Sequence, residues 1–455
     1  MSHEEDVPEV QLFHGTVVHS TASSAADVLP EHVLVVRRGR VERLVPARQL
    51  SDQLQRLGGT AEDVVHLEAD QLLLPGLVDA HIHPCQYPNA GLALDLPLLE
   101  WLQRYTFPLE ARFRDEEFAA GVYETVVERT LRNGTTCASY FASIHRPATE
   151  RLADICRRRG QRALVGKTCM DMNSPADYCE NTDESLQETA AFVAGQLRRR
   201  CSLVRPSITP RFAITCSERL LNGLGKIANQ HQLHVQTHLN ETLPEKALVA
   251  KLFPAAHSYT DVYQRAGLLG PRTVLAHCLH HDEGELQIMA NSGAGVAHCA
   301  NSNNSLRSGL CDVRKLHEAG VSVGLGTDMS GGYHPSVLDS VRATLHTSNV
   351  HAIHRDDYEA LTFRDAFRMA TLEGARALGL DDIIGNFEPG KQFDAVVAHV
   401  GHEESNVDLL TPHSHDELLQ KFVYLGDSRD ICAVYVAGRQ VVSNPTQEWS
   451  KSGGA

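Results

Sequence analysis

The chain has 455 residues, 42 % of them hydrophobic, which suits one large domain with a smaller companion and excludes wholesale disorder. Its formal net charge of −15 excludes nonspecific attraction to nucleic acid or to an anionic membrane. No run of ~18 apolar residues predicts a transmembrane helix, the acidic start Met1 to Asp6 has no apolar signal region, and eleven cysteines without a CxxC pair read as reduced thiols of a cytosolic protein.

From about Val10 to Leu50 short apolar runs alternate with turns. Val33-Leu34-Val35-Val36 is the clearest run, and Arg37-Arg38-Gly39-Arg40 reads as a hairpin turn into Val41 to Val45. The stretch Leu73-Leu74-Pro75-Gly76-Leu77-Val78-Asp79-Ala80-His81-Ile82-His83 follows, an apolar strand with a Pro-Gly break and two histidines at its far end. Alternate side chains of a strand share a face, so His81 and His83 point the same way.

The grain then changes. Phe118, Val122, Val126, Val127 and Leu131 recur at helical spacing, stopped by Asn133-Gly134. Strands and helices alternate from there. Counting from Leu77, eight strands start near 77, 135, 163, 203, 234, 273, 294 and 321. Eight βα units over about 300 residues predict an α/β chain with a (β/α)8 TIM-like barrel, whose usual length is ~250 residues with insertions allowed. A doubly wound open sheet is the alternative, but no GxGxxG follows the first strand. Past the helices at Leu361 to Gly379 the grain returns to β, with strands expected at Phe393 to Ala398 and Val434 to Val442. The two terminal β segments are each too small for a core of their own. They are expected to pair into one discontinuous β-domain, 1–72 with 381–455, beside a barrel over 73–380. The Ser-Gly-Gly tail should fray.

In such a barrel the active site lies at the C-terminal ends of the strands. Strand 1 ends in His81 and His83, strand 5 in His238, strand 6 in His277 and strand 8 in Asp328. Neutral histidine and carboxylate are ligands for a divalent metal. Taken by themselves the other polar residues say less. Gln86 carries no signal, Arg211 and Phe212 read as an ion-pair residue beside core, and Glu241 reads as a helix-start carboxylate. Cys85 lacks a base at nucleophile spacing, and His280 and His281 read as solvated loop residues.

This set of strand ends resembles the amidohydrolase superfamily of metal-dependent hydrolases. The flanks resemble it too: Pro75 to His81, Gly385 through Lys391 with Asp394, and Val436-Ala437-Gly438-Arg439. Further runs resemble the branch of that superfamily that deaminates guanine: His83-Pro84-Cys85-Gln86-Tyr87, Leu96 to Leu102, Tyr105-Thr106-Phe107-Pro108, Thr209-Pro210-Arg211-Phe212, His298 to Asn303, Gly326-Thr327-Asp328 and Lys421 to Asp427. The resemblance implies one Zn2+ per chain held by His81, His83, His238 and Asp328. Strand 4 ends without a lysine, which favours a mononuclear site. A zinc-activated hydroxide would attack C2 of guanine, releasing ammonia and leaving xanthine. Glu241, Asp328 and His277 take the catalytic roles: Glu241 protonates a ring nitrogen, Asp328 accepts the water's proton, and His277 steadies the developing alkoxide. His83, Pro84, Cys85, Gln86, Arg211, Phe212 and His238, with the catalytic three, are the implied substrate-binding set. A cytosolic homodimer without nucleic-acid or membrane partners is implied as well. Another deaminase or a chlorohydrolase of the same barrel would share the metal ligands, so Gln86 and Arg211-Phe212 discriminate. An inactive relative serving as an interaction protein would be expected to have lost strand-end histidines, and none is lost here.

Overall fold

Sixteen strands, in two sheets, are found among the described residues. The computed structural model describes residues 7–60 and 63–443; the acidic start at 1–6 and the Ser-Gly-Gly tail lie outside them. The first five strands are β1 (Val10–His19), β2 (Asp27–Arg37), β3 (Arg40–Pro46), β4 (Val64–His66) and β5 (Gln71–Pro75). The expected hairpin joins β2 to β3 through Arg38 and Gly39, both with positive φ (49° and 72°). Two such residues give a turn whose twist matches that of the strands it joins.

The last three strands are β14 (Ala395–His399), β15 (Ile431–Val436) and β16 (Arg439–Ser443). They pair with the first five in one mixed sheet, in the order β16-β15-β14-β5-β1-β2-β3, with β4 on β1. β5 is the seam: parallel to β1 on one side and antiparallel to β14 on the other. The single strand expected over Val434 to Val442 is a hairpin. Ala437 and Gly438 both take positive φ (49° and 82°) and turn the chain back.

The other eight strands are β6 (Leu77–Ile82), β7 (Thr135–Phe141), β8 (Arg162–Cys169), β9 (Val204–Pro210), β10 (His234–Leu239), β11 (Thr273–His277), β12 (Gly295–His298) and β13 (Val323–Leu325). They run parallel in sequence order from β6 to β13. The sheet is a nearly closed barrel. β6 and β13 are joined just past their C-terminal ends, where the Asp328 N–H donates to the His81 carbonyl at 2.9 Å and the His83 N–H donates to the Met329 carbonyl at 3.0 Å. The ring is thus closed at the end where the metal-competent side chains lie.

The Leu73 to His83 run is divided between the sheets. β5 belongs to the mixed sheet, so the 72/73 division expected from the sequence passes through it and the barrel begins at Leu77. Gly76 makes the crossing, because a Cβ there would lie 2.0 Å from Thr136 Oγ1. Between β6 and the helix Glu116–Arg132 the chain stays over the barrel mouth as a 3-10 turn (Pro84–Asn89), a short helix (Leu98–Trp101), a wide π-turn (Leu102–Thr106) and another short helix (Phe107–Ala111). No helix among the described residues is long and apolar enough to cross a membrane.

Candidate active site

His81 lies inside β6 and His83 one residue past its end, and their rings lie 4.8 Å apart, centroid to centroid. Asp328 Oδ1 faces both, 3.2 Å from His81 Nε2 and 3.4 Å from His83 Nε2. His238, on β10, brings its Nε2 to 3.1 Å from that of His83. One ligand atom from each of these four residues lies within 4.8 Å of every other. A tetrahedral zinc with ligands at ~2.0–2.1 Å separates them by about 3.3 Å, so the cluster has the right size for one divalent ion.

The ring hydrogen bonds also fit a metal. His81 Nδ1 meets Gln236 Oε1 at 2.6 Å and His238 Nδ1 meets the Arg211 carbonyl at 2.6 Å. Both acceptors require the proton on Nδ1, which leaves each Nε2 lone pair facing the cluster. His81 Nε2 is buried with no hydrogen-bond partner, as a ligand nitrogen would be. Burial, with His81 nearby, pushes the pKa of His83 and His238 well below the ordinary histidine range, so both are neutral. Burial would raise the Asp328 carboxyl, but His81, whose Nε2 lies 3.2 Å from Oδ1, and the nearby His277 outweigh it and keep Asp328 ionised.

His277, at the end of β11, stands beside this cluster, its Nε2 3.8 Å from Asp328 Oδ2 and 3.5 Å from Glu241 Oε2. Its Nδ1 meets Asn303 Oδ1 at 2.8 Å. Burial opposes protonation of His277, yet Glu241 and Asp328 outweigh it and raise its pKa above the ordinary value. Burial lifts Glu241 to about 7 against the pull of His277. The Ser308 hydroxyl donates to Glu241 Oε1 at 3.1 Å.

One cavity is lined by His83, Gln86, Arg211, Phe212, His238, Glu241, His277 and Asp328, with Leu98, Trp101, Leu102 and Leu306 closing its apolar side. Pro84 and Cys85 do not line it. In the 3-10 turn that begins at Pro84, residues three apart eclipse one another. His83 and Gln86 therefore share the cavity side while Pro84 and Cys85 turn into the core. Burial pushes the Cys85 thiol well above its ordinary range, which suits a packing role. His280 and His281 are half-buried rather than solvated: His280 Nε2 meets the Ser308 carbonyl and His281 Nδ1 the Cys278 carbonyl, each at 2.8 Å.

The sequence reading assigned no role to Glu110, Gln236, Asn303 or Ser308. Gln236 had a usable signal, since it stands two positions before His238 and so shares its face of β10. The other three approach from loops or a short helix, where spacing carries no direction.

The amidohydrolase family model matches residues 72–441. The chain is 45 % identical over 441 residues to guanine deaminase of Pongo abelii, covering 96 % of this chain and 97 % of that protein. It superposes on the crystal structure of guanine deaminase from C. acetobutylicum with guanine bound in the active site, with a TM-score of 0.87 and 32 % identity, covering 95 % of this chain and 100 % of that one. An adenosine deaminase from Xanthomonas campestris with bound zinc superposes with a TM-score of 0.79 at 27 % identity, covering 94 % of this chain and 92 % of that one.

Proposed function

The chain belongs to the amidohydrolase family, and we infer that it hydrolyses guanine to xanthine and ammonia with one zinc ion per chain. The observation that carries this reading is the shared cavity: His83, His238 and Asp328 of the metal-competent cluster, an acid with a raised pKa and a donor-rich edge of Gln86 and Arg211 all face it. Its likeness to guanine deaminases over nearly the whole chain supports the substrate.

His81, His83, His238 and Asp328 would hold the zinc. When bound, zinc lowers the pKa of a coordinated water to ~7 and so supplies the nucleophile at neutral pH. Phe212 offers a flat face to the purine, and Arg211 and Gln86 offer N–H donors to its polar edge. Glu241, lifted to about 7, can carry a proton near neutral pH and deliver it to a ring nitrogen as C2 becomes tetrahedral. Asp328, ionised, takes the proton released by the attacking water. His277 donates from Nε2 toward oxygen as negative charge grows there. As the C2–N bond breaks, the amino group leaves as ammonia with a proton returned from the carboxylates. Water and guanine are consumed, and xanthine and ammonia account for every atom.

No disulfide joins the cysteines among the described residues, which supports a reducing compartment, the cytosol. A homodimer is the expected assembly. The test measures zinc and turnover on one sample. About one zinc per chain is expected, together with equal release of ammonia and xanthine from guanine. Full activity after exhaustive chelation, or turnover confined to other heteroaromatic rings, would overturn the reading.

A further inference from the structure

Glu110 lies behind the cavity wall in the short helix Phe107–Ala111 and is completely buried. Its carboxylate accepts four hydrogen bonds, all from side chains. Oε2 takes Arg211 Nη1 at 2.6 Å and the Tyr178 hydroxyl at 2.7 Å. Oε1 takes Arg211 Nη2 at 3.1 Å and Gln86 Nε2 at 2.9 Å. The Arg211 guanidinium also lies over the Phe107 ring, 4.9 Å from its centroid. Arg211 and Gln86 line the cavity, whereas Glu110 and Tyr178 do not.

Two consequences follow from this arrangement. A carboxylate only accepts, so it admits Gln86 in one amide orientation, with Nε2 toward Glu110 and Oε1 toward the Ser330 N–H at 3.4 Å. A flipped amide would set oxygen against oxygen in a buried site. The two-point bond to Arg211 likewise fixes the guanidinium plane and cancels its charge. The N–H groups left over can still donate toward the cavity, but the edge they form is neutral overall.

Resting on the guanine reading above, we propose that Glu110 is a positioning residue that sets substrate specificity: through Arg211 and Gln86 it makes the cavity read a neutral purine edge rich in acceptors and reject anionic purines. An arginine without this partner would be a buried cation open to the cavity, and an anion would be its best ligand. Glu110 touches neither the metal cluster nor Glu241, so its work belongs to binding rather than to the chemical step.

The experiment compares the zinc-loaded wild type with Glu110→Gln, Glu110→Asp and Tyr178→Phe. Three quantities are read: guanine KM and kcat, zinc content, and calorimetric affinity for urate, an anionic purine. Wild type must turn over guanine; if it does not, the functional reading fails and not this inference. For Glu110→Gln, KM should rise at least about tenfold while kcat changes by less than about threefold, because uniform binding is what has been removed. Zinc should stay at the wild-type level and urate should bind at least about tenfold more tightly, as a buried cation released from its partner demands. Glu110→Asp keeps the charge, so it should raise KM without the gain in urate affinity. An unchanged KM, a loss confined to kcat, or unchanged urate binding in Glu110→Gln overturns the proposal. If Glu110→Gln proves insoluble, the other two variants decide. A KM raised a few-fold in both, with urate still weak, upholds it, and wild-type KM in both overturns it.

Discussion

Glu241 and Asp328 are buried carboxylates on the same cavity, and their surroundings drive them apart. Burial lifts Glu241 to about 7, while Asp328 is held ionised despite burial by His81 and His277. Two carboxyls separated in this way divide into acid and base. Glu241→Gln keeps the size and an acceptor for the Ser308 hydroxyl but removes the transferable proton. It is expected to lower kcat by ~10² to 10⁴-fold, with zinc content unchanged and guanine still bound. Asp328→Asn should lose activity and also give up zinc more readily to a competing chelator. Near-normal turnover by Glu241→Gln takes Glu241 out of the mechanism, and zinc loss in that variant moves it among the ligands. The same residues mark where sequence reasoning reaches. His81, His83, His238, His277 and Asp328 are legible because strand ends in a barrel all face one place. Yet His298 also ends a strand, is buried and is pushed by burial to about 3, and does not join the metal cluster. Position along a strand therefore proposes a ligand, and the placement of the side chain beside the cluster is what separates His298 from the other four histidines. Glu110 was out of reach for another reason: it meets Gln86 across 24 residues and Arg211 across 101, and neither distance leaves a mark on the sequence around it.

At the scale of elements, the eight barrel strands are readable because each is a short run set between helical stretches, and each is buried along nearly its whole length. The errors fall at turns. Val434 to Val442 is apolar on both sides of Ala437-Gly438, and without Asn or Asp the pair gave no warning of positive φ. Leu73 to His83 posed the opposite problem, one apolar run serving two sheets. Its break lies at Gly76, whose N–H donates to the Asp394 carbonyl at 2.9 Å. A methyl at residue 76 would lie 2.0 Å from Oγ1 and 2.4 Å from Cγ2 of the buried Thr136. Gly76→Ala therefore has to push β6 away from β7. Overpacking of this kind costs ~1–3 kcal/mol or more. Because β6 carries His81 and leads into His83, calorimetry should show a lower melting temperature and metal analysis a lower zinc content. A variant with wild-type values of both would show that the two strands are not held this closely.

At the scale of the whole molecule, one buried ion pair joins the barrel to the mixed sheet. Arg162 opens β8 at the end of the barrel away from the active site, and its side chain is 4 % exposed. Its Nε and Nη2 donate to Asp394 Oδ2 and Oδ1 at 2.9 and 2.8 Å. Asp394 Oδ1 also accepts the Ala437 N–H of the β15–β16 turn at 2.8 Å, so one side chain ties three parts of the chain together. Burial works against the Arg162 charge, and Asp394 outweighs it and raises its pKa above the ordinary arginine value. A buried pair can be close to neutral for stability as a whole, but removing one partner leaves the other charge uncompensated at ~3–5 kcal/mol. Arg162→Met is accordingly expected to lower the melting temperature markedly. It should keep kcat and zinc at temperatures where it remains folded, since the active site lies at the other end of the strands. Arg162→Met with Asp394→Asn removes both charges and retains an acceptor for the Ala437 N–H, so the double variant should be more stable than Arg162→Met alone. The pair joins the two sheets only if both comparisons hold. Arg162→Met as stable as wild type, or a double variant no better than the single one, would leave the junction to the β5 seam and its apolar packing.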